Sequence, residues 1–229
     1  MAHLHIPDGV LPPALWGAGL ALALALLLLA IRATPRDGAR TIAYQGALGG
    51  LMLAVMSIPI PLVAFEYCIT LAGPVGVLLG PAAGYQVAFV VCLILALLGQ
   101  GGITVVGLNA LVMGATVAVA RPAYGWFAAG RSAPVALALA TGVAQTAAGL
   151  IWFALLAAAV ALRPEAANAI PSARAGLFAG VTLALWLVAI AAESAVAYGI
   201  GRFLARVRPD LLPSSRARAM PAGVPGGAR

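Results

Sequence analysis

The stretch Pro13-Ala-Leu-Trp-Gly-Ala-Gly-Leu-Ala-Leu-Ala-Leu-Ala-Leu-Leu-Leu-Leu-Ala-Ile31 carries no charge and, apart from one indole, no polar side chain. Coiled as a helix at ~1.5 Å per residue, it matches the ~30 Å hydrocarbon core of a bilayer. Pro12 and Pro13 suit its start, where a missing N–H costs little. The segment that follows, Arg32-Ala-Thr-Pro-Arg-Asp-Gly-Ala-Arg40, is a basic turn. No basic residue precedes the run, and basic residues follow it, the reverse of a secretory signal. The expectation is an uncleaved first span with its N-terminus outside.

The pattern repeats along the chain. Apolar runs cover Thr41–Met56, a short segment ending at Leu79, Ala82–Leu98, Val105–Ala120, Ala133–Leu162 and Gly176–Phe203. Ser57-Ile-Pro-Ile-Pro61 breaks the second run and cannot itself be helical. Gly80-Pro81 is a tight turn, Gly99–Thr104 a glycine-rich interruption, and Arg121–Ser132 reads as a loop. The reading is an all-α membrane protein: a bundle of about seven transmembrane helices, N-terminus extracytoplasmic, C-terminus cytoplasmic. Residues 1–12 form an N-terminal arm, 13–205 the seven-helix domain, and 206–229 a basic, Pro- and Gly-rich tail expected to be disordered.

Composition agrees. The chain is 63% hydrophobic and 8% charged, against about 25% charged residues in soluble domains. All thirteen basic residues are Arg. With seven spans and the N-terminus outside, eleven of the thirteen fall on the cytoplasmic side, as the positive-inside rule requires. The net charge of +7 thus reports topology, and nucleic acid is not an expected partner; the lipid bilayer is. Cys68 and Cys92 lie in apolar segments, so no disulfide framework is expected. No nucleotide-binding loop and no Ser/His/Asp or paired-carboxylate constellation exists, so the chain is not read as an enzyme.

The chemistry concentrates in the arm, Met1-Ala2-His3-Leu4-His5-Ile6-Pro7-Asp8-Gly9, which holds both histidines. An amine, deprotonated amides and an imidazole on neighbouring residues close fused chelate rings around one ion, a donor set suited to Ni(II) or Cu(II). With Met1 retained, Met1-Ala2-His3 supplies four nitrogens; with Met1 removed, Ala2-His3 supplies amine, amide and imidazole. Pro7-Asp8-Gly9 is a turn that can fold the arm back, with Asp8 fixing it. Glu66 lies near a membrane boundary, and Glu193 falls inside the last run. Glu193 is expected to pair with Gln145 or Thr146, or to face a subunit partner.

His5-Ile6-Pro7-Asp8-Gly9 with Leu11 and Pro12 resembles the start of the CbiM/NikM family, the substrate-specific membrane components of energy-coupling-factor cobalt and nickel transporters. Pro59-Ile60-Pro61, Leu78-Leu79-Gly80-Pro81, Gly101-Gly102-Ile103-Thr104, Gly107-x-Asn109 and Met113-Gly114 are similar to the family's further motifs, in order, up to Gly114. The resemblance implies an arm inserted into the bundle from outside, with the metal held by the amine, by the amide and imidazole of an adjacent His, and by a second His from a later segment. Two departures stand out. His5 occupies the motif position with four residues before it, and the later His is replaced at or near Cys68, whose thiolate could serve instead. The implied metal set is Met1, Ala2, His3, His5 and Cys68, with Asp8, Glu66 and Asn109 supporting. Co2+ or Ni2+ would be transported substrate, with no catalytic cofactor. The implied partners are a CbiQ-like transmembrane coupling subunit, CbiO-like ABC ATPases and a small CbiN-like subunit, in a bacterial inner (plasma) membrane. The alternative is a metal-site-degenerate membrane scaffold or sensor of the same fold.

Overall fold

The computed structural model describes residues 8, 11–35, 39–58, 60–62, 65–162 and 172–213. Seven α-helices lie among them: α1 Pro13–Ala33, α2 Ala39–Met56, α3 Ala72–Leu79, α4 Pro81–Leu97, α5 Val106–Phe127, α6 Ala133–Leu162 and α7 Ser172–Val207. A 3-10 turn, Pro209–Leu211, follows α7. Four helices are long and apolar enough to cross a membrane: α1, α5, most of α6 and the greater part of α7. The apolar α2 and α4 are shorter, at 18 and 17 residues.

The third helix departs from the others. α3 has eight residues and rises only about 12 Å, too little for a ~30 Å core. Before it lie two three-residue strands, β1 Ile60–Leu62 and β2 Phe65–Tyr67, paired antiparallel with Pro61 opposite Glu66. Residues 68–71 then run without regular structure into α3. The fold is therefore helical with one small hairpin, where the sequence suggested helices alone. Val, Ile, Phe and Tyr between prolines favour an extended chain, and Pro61 cannot sit in a helix interior. Leu71 closes this stretch in the left-handed region, at φ +56°.

The two ends of the bundle can be told apart by their contacts. At one end Asp8, ahead of α1, meets Ile103 and Thr104 between α4 and α5. At the other, the Gln86 amide near the start of α4 donates to the Ala30 carbonyl and the Thr34 hydroxyl at the end of α1. There too, Gly80 between α3 and α4 adopts φ +80°, and a Cβ on it would meet the Arg121 guanidinium at 2.7 Å. Arg32, Arg121, Arg131, Arg202, Arg206 and Arg208 belong to the helix ends and connections on this second side.

α5 sits at the centre, packed against α1, α3, α4 and α6. Its C-terminal end corrects the sequence reading. The helix continues through Arg121 and Pro122 to Phe127, where a loop was expected. Proline removes one helical hydrogen bond, but Tyr124 is buried against Ala136, Leu137 and Ala140 of α6, and that packing carries the last turns past it. The apolar core of α1, α2, α4 and α5 includes Met52, Met56, Val91, Leu95 and Val117. Many large apolar side chains face outward, among them Leu28 on α1 and Leu187 on α7, as a lipid-facing surface demands.

Candidate functional site

Asp8 is exposed, yet both its carboxylate oxygens are engaged. One oxygen accepts the Thr104 N–H at 2.9 Å and the Thr104 hydroxyl, and the other accepts the Ile103 N–H at 3.0 Å. These donors precede the first turn of α5, where a negative charge is favoured. The Thr104 hydroxyl, then the N–H groups of Thr104, Ile103 and Val105, hold the Asp8 carboxyl below its ordinary value, against a smaller opposing effect of desolvation. Gly102 makes room: a Cβ there would come within 2.6 Å of the Asp8 nitrogen. The Gly-Gly-Ile-Thr segment is thus a seat for Asp8, which it ties to the loop before α5.

Below this seat a cavity of about 50 Å³ lies among α5, α6, α7 and the irregular segment before α3. Asn109, Met113 and Thr116 come from α5, Gln145 and Gly149 from α6, Trp186 and Ile190 from α7, Tyr67 from the end of β2 and Thr70 from the segment. Asn109 stands about one turn inside the start of α5 and is buried, so along α5 the cavity begins about one turn beyond the loop that binds Asp8. Asn109, Met113 and Thr116, at i, i+4 and i+7, share one face of α5.

Thr70 organises the polar side of the cavity. Its N–H and hydroxyl both donate to one oxygen of Glu193, at 2.5 and 2.8 Å. Its hydroxyl accepts the Gln145 amide at 3.0 Å and the Ala72 N–H at 3.3 Å. Tyr67 donates to the Ala189 carbonyl of α7 at 3.3 Å. Irregular backbone at membrane depth survives only where protein groups satisfy it, and here Glu193 does so. Its partner is Thr70, not Gln145 or Thr146 as the sequence suggested; Thr146 bonds to its own helix at Gly142.

Cys68 is buried, between the cavity residues Tyr67 and Thr70 in the chain. Glu66 pairs across the hairpin with Pro61. Met1, Ala2, His3 and His5 lie outside the described residues. Among the described residues no group of three or more His, Cys, Asp or Glu side chains gathers as a metal site. The cavity instead offers hydroxyl and amide oxygens, the Met113 thioether and, close by in the chain, one thiol. Tyr67, Thr70 and Thr116 escaped the sequence reading, which named Gln145 only as a partner for Glu193. Gln145, a lone amide in a thirty-residue apolar helix, was the available signal.

Comparison with known proteins follows the same line. The sequence profile of the CbiM family, described as the cobalt uptake substrate-specific transmembrane region, matches residues 5–211. A crystal structure of a transition metal transporter superposes with a TM-score of 0.72 at 22% identity, covering 89% of this chain and 93% of that one. A truncated transition metal transporter gives 0.68 at 21% identity, covering 88% and 98%. At such identities the likeness is one of fold. No curated protein matches the sequence.

Proposed function

Proceeding from the fact that this chain belongs to the CbiM family, cobalt uptake substrate-specific transmembrane regions, we propose that it is the substrate-capture component of an energy-coupling-factor importer for Co2+ or Ni2+. It is a multi-pass membrane protein of metal uptake, and its arm takes the ion from the extracytoplasmic face of a bacterial inner membrane. The observation that carries this reading is the clamp of Asp8 onto Ile103 and Thr104. It ties the base of the arm to the loop before α5, about one helical turn ahead of Asn109 in the cavity wall. The five residues from His3 to Asp8 can span up to ~17 Å, enough to set both histidines over that end of the bundle.

In this reading, His3 or His5 and the nitrogens of Met1 and Ala2 form the nitrogen-rich part of the site. Cys68, held beside the cavity by its neighbours Tyr67 and Thr70, contributes the remaining ligand. The arm captures, Asp8 seats it, and α5 with the irregular segment forms the wall it closes against. With no nucleotide-binding loop in the sequence, movement of the ion needs a CbiQ-like coupling subunit and CbiO-like ATPases, with a CbiN-like subunit as a further candidate. The Arg-rich end of the bundle faces the cytoplasm.

The test is titration of the purified protein with Ni(II) and Co(II), followed by visible d–d absorption and calorimetry, for wild type, His3→Ala and His5→Ala. Loss of the nitrogen-field spectrum in one or both variants is expected. Wild-type binding that neither variant alters removes the arm from the mechanism. Absence of binding altogether leaves the degenerate-scaffold reading.

A further inference from the structure

Glu193 is 1% exposed, at a depth where a carboxylate is expensive. Only one of its oxygens is used. The first accepts both donors of Thr70; the second has no hydrogen-bond partner among the described residues. No ion pair reaches Glu193 among them either, the recorded pair being Arg208–Asp210 at the bundle's edge. A carboxylate needed only to pin Thr70 could be an amide with the same effect. What the acid adds over an amide is a second oxygen that can give up its proton and carry charge opposite an ion.

The surroundings supply room and further donors. Glu193 lies three residues after Ile190, four after Ala189 and seven after Trp186, so it shares their face of α7 one turn further from the Asp8 end. All three line the cavity, as do Thr70 and Gln145; Glu193 is not itself a lining residue and is joined to the cavity wall through Thr70, which Gln145 also bonds. The ~50 Å³ space holds roughly three to five waters at ~10–15 Å³ each, enough for one ion that keeps part of its hydration. Deeper on the same face of α6, Thr141 is fully buried and its hydroxyl has no hydrogen-bond partner among the described residues.

We propose that Glu193, with Tyr67, Thr70, Asn109 and Gln145, forms a second cation station inside the bundle, which receives the divalent transition-metal ion after the arm releases it. The proposal rests on the capture reading above and extends it inward. Its chemistry differs from the arm's. Carboxylate, amide and hydroxyl oxygens hold late first-row ions more weakly than imidazole and amide nitrogens do. Weaker is what transit requires, since an ion must bind well enough to enter and loosely enough to leave. The same carboxylate would then serve two ends: one oxygen fixes the irregular segment, and the other meets the ion.

Calorimetric titration with cobalt(II) chloride tests this on the full chain in detergent, comparing wild type, His3→Ala/His5→Ala and Glu193→Gln. The glutamine keeps an acceptor for Thr70 and removes the charge. Wild type should bind in two steps, one tight and one weak. Glu193→Gln should keep the tight step and weaken the other tenfold or more, and the double histidine variant should keep only the weak step. A single wild-type step, or two steps unchanged in Glu193→Gln, overturns the station. A double histidine variant with both steps intact overturns the capture reading, while Glu193→Gln still decides the station. If Glu193→Gln loses both steps, Gln145→Ala replaces it: selective weakening of the second step supports the station, and no change overturns it.

Discussion

Thr70 and Glu193, 123 positions apart, are joined by two hydrogen bonds to a single carboxylate oxygen, one from the Thr70 N–H at 2.5 Å and one from its hydroxyl at 2.8 Å. The pair fastens the irregular segment before α3 to α7. It also sits directly before Leu71, whose positive φ is unfavourable for a branched side chain.

Glu193→Ala should therefore destabilise the protein by about 1–3 kcal/mol, the penalty for a buried donor left unpaired. Glu193→Gln should lose far less, because an acceptor remains. Thermal unfolding in detergent separates the two, and equal losses would assign the effect to charge and not to the Thr70 bonds.

The Asp8 seat has a pH signature. Its folded-state value is depressed, so the stabilisation it gives is complete above the ordinary value of 3.8 and fades as pH falls through the lower folded value. Limited proteolysis of the arm should be flat from neutral pH down to about 4 and should accelerate below that. In Asp8→Asn the acid-dependent part should vanish, with faster cleavage at every pH.

Gly76 of α3 lies against the backbone of α5, where a Cβ would stand 2.6 Å from the Val117 carbonyl oxygen and 2.8 Å from its Cα. Backbone cannot step aside as a side chain can. Gly76→Ala should force the two helices apart and lower stability by about 1–3 kcal/mol, readable as a drop in melting temperature.

Cys68→Ser tests the ligand role assigned to the thiol. Sulfur-to-cobalt charge-transfer absorption should be present in wild type and absent in the serine variant, with Co(II) affinity reduced about tenfold or more. A wild-type spectrum lacking that band would place Cys68 among the packing residues only.

The sequence made the long crossings legible because lipid imposes one rule on all of them: about twenty apolar residues, bounded by charge or proline. α6 begins and ends where its composition changes, at Ala133 and Leu162, and α1 overran expectation by two residues. The rule failed where tertiary contacts override local signals. Arg121 and Pro122 read as loop, yet burial of Tyr124 keeps them helical. The hairpin and the irregular stretch owe their conformation to Glu193 and Ala189 on a helix more than a hundred residues away, which no local window contains. In the site, Asn109 and Asp8 were legible as motif residues, but the seat that joins Asp8 to Thr104 was not, because it depends on three-dimensional closure.

The unwound stretch before α3 carries a mechanical consequence. The other six described helices can tilt or slide with their main-chain bonds intact, because each helix closes its own. The third borrows its closure from α7, so drawing α7 aside would strip a bare amide in oil unless residues 67–71 travelled with it. Whatever grips the outer face of α7 therefore holds a lever whose short arm is the strand of chain bearing Cys68.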